Sequence, residues 1–94
     1  MNKIIVKIAE EESREVEFLF HKYNSLMSIL GYLHENGKVS EEYLDKKLDE
    51  LTYLHIELES KKNLYGMKYK PEQIQEAFNY SFDFDNDSIV YEEI

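Results

Sequence analysis

Cysteine is absent from this chain, so disulfides, thiolate nucleophiles and zinc sites of the Cys type fall away. The three glycines stand singly at 31, 37 and 66, too scattered for a Gly-rich phosphate loop. One proline, Pro71, and the lack of any Pro/Gly/Ser-rich stretch leave no place for an interdomain linker, so residues 1–94 are read as a single domain with one core. No apolar run approaches membrane length, and Met1 to Ile8 is too short and too interrupted by Lys3 and Lys7 for a signal peptide. The expectation is a cytoplasmic protein with no membrane contact.

Basic residues are missing from the last quarter. Residues 1–71 hold 13 acidic and 11 basic side chains, whereas residues 72–94 hold 7 acidic and none basic, which accounts for −7 of the net charge of −9. Phosphate affinity comes from Lys and Arg, so direct nucleic-acid binding is not expected, and a protein or peptide with a basic surface is the better partner. With 43% apolar and 14% aromatic residues the chain has enough hydrophobic content to fold rather than stay disordered.

What is present is mostly helical pattern. Ile4, Val6 and Ile8 alternate with Lys3 and Lys7 and predict a short strand over 3–8. Glu10, Glu11 and Glu12 then supply negative charge where a helix amino terminus favours it. Val16, Leu19, Tyr23, Leu26, Leu30 and Leu33 recur at alternating spacings of three and four, the seam of a helix over 10–36 that packs along another helix. Phe18, Phe20, Met27 and Ile29 widen that arc beyond one seam. Gly31 within it suggests a close backbone approach, and Asn36-Gly37 ends the helix, because glycine accepts the left-handed conformation common there.

Ser40 is a suitable cap for a second helix over 41–65, with Glu41 and Glu42 in its first turn. The short link between the helices makes them antiparallel neighbours. Leu44, Leu48, Leu51, His55, Leu58 and Tyr65 read as the second seam, closed by Gly66. Pro71 opens a short helical turn carrying Ile74, Ala77 and Phe78. Alternation of Tyr80, Phe82 and Phe84 with Ser81 and Asp83, a polar run over 85–88, and Ile89-Val90-Tyr91 predict a β-hairpin over 79–93. The fold class is therefore mainly α (α+β): a two-helix hairpin with a short strand before it and a β-hairpin after it. The broad apolar arc would also suit a homodimer forming a four-helix bundle.

No constellation calls for catalysis, a cofactor or a metal. His55 lies on the second seam and could meet Glu17 or His21, but the Glu-x-x-His pair that a bundle metal site uses is absent. Asp83, Asp85 and Asp87 imitate the opening of a calcium loop, yet Ser88 stands where the sharp turn calls for Gly and Ile94 where the bidentate Glu belongs. An acidic hairpin turn is the simpler reading. Lys61, Lys62, Lys68 and Lys70 cluster at the end of the second helix, where its dipole favours them, with an anion patch as the alternative.

Two features favour recognition instead. One is the acidic, aromatic hairpin, with Phe82, Asp83, Phe84, Asp85, Asp87, Tyr91, Glu92 and Glu93 as candidate contacts. If its last strand lies at a sheet edge, unpaired backbone groups are open to an extended peptide. The other is the first-helix arc, represented by Phe18 and Phe20. Three strands packed on the helices, or a dimer, would satisfy these groups internally.

Lys3-Ile4-Ile5-Val6-Lys7-Ile8 followed by Glu10-Glu11-Glu12, the Phe18-Leu19-Phe20 block, and Tyr80-Ser81-Phe82-Asp83-Phe84 with Ile89-Val90-Tyr91 resemble accessory proteins of CXXX-repeat peptide modification systems, partners of radical-SAM peptide maturases. The resemblance spans most of the chain. It implies a non-catalytic helper that holds a precursor peptide or its maturase, and it transfers no functional residues. The alternative expectation is an acidic, phage-type inhibitor of a nucleic-acid-handling enzyme, an anti-defence protein whose charge occupies a phosphate groove.

Overall fold

The computed structural model describes residues 3–37 and 39–94. In chain order these form β1 (Lys3–Lys7), α1 (Glu10–Asn36), α2 (Glu41–Lys68), β2 (Phe78–Asp83) and β3 (Ser88–Glu93). The fold is mainly α, as the periodicity predicts: an antiparallel helical hairpin with a small antiparallel sheet packed against one end of it. No helix among the described residues is long and apolar enough to cross a membrane.

Charge and capping set the helix limits. Ala9 precedes α1 without a side-chain cap, so Glu10, Glu11 and Glu12 are what favour the exposed amides of the first turn. Gly37, at φ 59°, ends the helix by donating its N–H to Leu33 O at 3.2 Å. Ser40 Oγ accepts from Tyr43 N at 3.2 Å and starts α2.

Three expectations need correction. Gly66 does not close α2, which runs on to Lys68; Gly66 is buried inside it, where an added Cβ would lie 2.8 Å from Tyr80 Cζ. Glycine serves there to let the sheet approach the helix. Gly31 marks no such approach, since nothing lies within 4 Å of the place its Cβ would take. The buried line of α2 runs through Leu54, Leu58 and Tyr65, and Leu48 is 50% exposed. Leu54 takes the inward position and carries its neighbour His55 round to the hairpin's flank.

Between α2 and β2 the chain turns rather than forming the expected helical turn. Ile74 N–H donates to Pro71 O at 3.1 Å, and the Ile74 side chain, 1% exposed, pins the connection to the core.

The sheet order is β1-β3-β2. The last strand is therefore central, not an edge, because β1 pairs with β3 from Lys3↔Glu92 to Lys7↔Ser88 while β2 pairs on its other side from Phe78↔Glu93 to Asp83↔Ser88. Cross-strand partners share a face. Ile4, Tyr91 and Tyr80 thus stand together with Val6, Ile89 and Phe82 toward the helices, and Ile89 and Tyr91 are fully buried. They meet Val16, Leu19, Leu58 and Tyr65 in one core. Tyr91 Oη donates to Gly66 O at 2.5 Å, tying the central strand to the helix at its closest approach.

Candidate functional site

The strands run across the hairpin, not along it. Tyr80 lies against Gly66 and bonds Asn63 on α2, while Phe84, just past the end of β2, meets Phe20 on α1 with ring centroids 5.8 Å apart. The helices continue past β2 toward their connecting turn, so β2 is the edge of the sheet that faces uncovered helix surface.

The direction of the unpaired backbone groups on β2 follows from the ladder. Ile94 N–H donates to Ala77 O at 3.1 Å, which makes positions 77 and 94 a hydrogen-bonded pair. In an antiparallel ladder such pairs alternate, so Asn79, Ser81 and Asp83 bond β3 and the backbone groups of Phe78, Tyr80 and Phe82 point outward. The opposite edge, β1, carries Lys3 and Lys7, a common defence against unwanted pairing.

Beside the open edge lies a cleft of about 230 Å³ between sheet and hairpin, lined on the helix side by Val16, Phe20, Leu58 and Lys62 and on the strand side by Tyr80, Ser81, Phe82 and Phe84. Its rings form a continuous series: Phe78 to Tyr80 at 6.2 Å, Tyr80 to Phe82 at 6.3 Å, and Phe82 to Phe84 at 6.1 Å. Further toward the hairpin tip, the Tyr23 and His55 rings lie tilted against each other with centroids 5.6 Å apart, beside Leu51 and Thr52 in a second hollow of about 240 Å³. The mouth near the turn is acidic, with Glu17, Asp83 and Asp85 around His21, Phe82 and Phe84.

The turn is held rigidly. Asp83 accepts from the Asn86 side chain at 2.8 Å and from its backbone N–H at 3.3 Å, and the first of these pulls its carboxyl below the usual range. Asp87 adopts φ 47°, a conformation Asp tolerates better than most side chains. Its carboxyl is also lowered, first by a hydrogen bond from the buried Ser13 hydroxyl and then by Arg14, which donates to Phe84 O as well. Two of the seven carboxylates of the last quarter are thus engaged within the fold. Among the described residues no three His, Asp or Glu side chains group as metal ligands.

The sequence candidates separate accordingly. Phe20, Phe82, Phe84, Asp83 and Asp85 come together at the β2 edge. Tyr91 is a correction: at 0% exposure it is part of the core, not of the surface. Asp87 holds the turn through Ser13 and Arg14. Glu92 stands opposite Lys3 and Asn79 on the outer face of the sheet, and Glu93 opposite Phe78 at its end. Phe18, 66% exposed, belongs to the hairpin face turned away from the sheet. The sequence does not mark Tyr23, Leu58, Tyr80 or His55 for binding, and the expected contact of His55 with Glu17 or His21 gives way to a tilted ring contact with Tyr23. The 1-3-2 strand order brings them to the edge, and no local pattern encodes it.

Three of the four lysines in the cluster are paired with carboxylates of the fold. Lys61 pairs with Glu15 at 2.7 Å, Lys68 with Glu12 at 2.7 Å, and Lys62 with Glu59 at 3.4 Å, while Lys70 lies 5.4 Å from the Phe78 ring. Lys68 and then Tyr69 pull Glu12 below the usual glutamate range, as Lys61 and then Tyr65 do for Glu15. The Glu15 hydrogen bond and burial push Tyr65 up to about 12. Comparison with known proteins adds no relative: no family model, curated protein or solved structure matches the chain.

Proposed function

We propose that the protein is a non-catalytic binding module that captures an extended, basic peptide segment by adding it as a fourth strand along β2. A single observation carries this reading: the outward backbone groups of Phe78, Tyr80 and Phe82 lie beside an aromatic cleft and uncovered hairpin. Strands sit about 4.8 Å apart, so the next strand would lie over Phe20, Tyr23 and His55, with alternate side chains directed into the cleft. Asp85 supplies the complement to Lys or Arg on the segment, and Glu17 and Asp83, bonded to Arg14 and Asn86, add to the negative field beside it. A helper that holds a precursor peptide for a maturation enzyme would use such a site, which is what the resemblance to accessory proteins implies.

The test is capture of a short synthetic peptide alternating Lys with Ile, followed by fluorescence anisotropy, for the wild-type chain and Phe84→Ala. Phe84 is only half-buried, so its truncation should cost binding about tenfold, the scale of an interface anchor, and cost folding less. Equal binding by Phe84→Ala, or no binding by the wild type, contradicts the proposal. Capture that disappears between low and high salt regardless of the Ile positions would favour the acidic-inhibitor reading instead.

A further inference from the structure

We propose that the hairpin face turned away from the sheet is a self-complementary surface on which a second copy of this chain docks to form a four-helix bundle. The proposal is independent of peptide capture, which uses the opposite face, with His21 at the boundary between the two. Phe18, Lys22, Ser25, Ile29 and Tyr32 recur at alternating spacings of four and three along α1, outside the buried seam. Across from them on α2 stand Glu50 and Tyr53, with Glu57 one turn further along. Phe18, Lys22, Ser25 and Ile29 on one side and Glu50 and Tyr53 on the other wall an open groove of about 590 Å³ floored by Leu26 and Leu54, and Tyr32 and Glu57 extend the two rows beyond it. The sheet covers none of it, and the Glu15–Lys61 pair bounds it at the sheet end.

Area and charge both point to a copy of the same chain. Phe18 is 66% exposed, Tyr32 66%, Tyr53 74% and Ile29 53%. For aromatic side chains of roughly 150–250 Å², the three rings leave roughly 400 Å² open per copy. With Ile29, two such faces together come to about 1,000 Å², the size at which specific interfaces begin. The Tyr23–His55 contact places Lys22 at the level of Ile56 and Glu57. Neither Lys22 nor Glu57 makes an ion pair among the described residues. A two-fold axis parallel to the hairpin sets α1 of one copy antiparallel on α2 of the other, so Lys22 of each meets Glu57 of its partner, twice. Every helix then has antiparallel neighbours, the arrangement of up-and-down bundles. Both sheets remain outside at the same end, with each β2 edge free.

Sedimentation velocity on the whole chain tests this. The expected mass is twice the 11.3 kDa of one chain at tens of micromolar. Ile29→Glu with Tyr53→Glu, both at exposed positions, should give a monomer with unchanged far-UV circular dichroism. Lys22→Glu alone should weaken the dimer about tenfold, and Lys22→Glu with Glu57→Lys should restore it. A monomer at every concentration overturns the proposal, including one that takes up a different helical partner. So does a dimer that survives Ile29→Glu/Tyr53→Glu but is lost with Met27→Glu/Leu48→Glu, which would place the contact on the sheet side. Peptide capture by the Ile29→Glu/Tyr53→Glu monomer should be undiminished, which separates the failure of either proposal from that of the other.

Discussion

Replacing Gly66 with alanine sets two effects of known size against each other. In an open helix interior the change stabilises by about 1 kcal/mol, because glycine loses more backbone freedom on folding. At Gly66 the new Cβ would lie 2.8 Å from Tyr80 Cζ and 2.9 Å from Cε2, inside normal contact distance. The Tyr80 hydroxyl bonds Asn63, and its ring lies among Phe78, Phe82 and Tyr91, so moving it disturbs the edge strand. Overpacking of this kind costs about 1–3 kcal/mol. The balance is a net loss of about 1 kcal/mol, or about 4–8 °C in Tm for a domain of this size. In a Tyr80→Ala background the obstruction is gone, and the same substitution should stabilise by up to about 1 kcal/mol. Thermal and urea denaturation of the four proteins closes the cycle, with an expected coupling of about 2 kcal/mol. If Gly66→Ala raises Tm in the wild-type background, or acts with the same sign in both, the sheet does not press on α2 where it is placed.

Further outcomes follow from the core and the ionisable groups. Ile74→Ala should cost about 2–5 kcal/mol by chemical denaturation, because a side chain 1% exposed leaves a cavity where the connection is pinned. Burial pushes Tyr91 up to about 12, and Tyr65 reaches the same value. The unfolded chain loses these protons near 10.0 and the folded one does not, so stability should be intact below pH 10 and fall between about pH 10 and 12; Tyr91→Phe should flatten that limb of a Tm profile. Glu12 and Glu15 have the opposite sign. Their folded values lie below 4.5, so they stabilise above that pH and lose the contribution as pH falls through the lowered values, and Glu12→Gln/Glu15→Gln should shrink the acid-side drop in Tm.

The helices were legible because charge, capping and apolar spacing agreed over long stretches. Glu10–Asn36 matches the expected helix at both ends, since Gly37 ended it for a purely local reason. Gly66 misled because a glycine that admits a neighbouring ring looks in sequence like one that ends a helix. The α2 register slipped at His55 because Leu54 and Leu51 serve the inward line as well as Leu48 and Leu51 would, and only the α1 face decides between them. At the β2 edge, Phe82, Phe84 and the acids could be read from alternation. The central place of β3 could not: β1 is far away in sequence, and its partner depends on how the connection anchored by Ile74 delivers β2. That same choice made Tyr91 a core residue.

Amide hydrogen exchange on β2 tests the open edge most directly. Without ligand, the Tyr80 and Phe82 amides should exchange much faster than those of Asn79 and Ser81, which bond β3. Adding the Lys/Ile peptide should slow Tyr80 and Phe82 selectively. Slow exchange at Tyr80 and Phe82 in the free protein, or peptide-induced protection that spares both, would contradict the account.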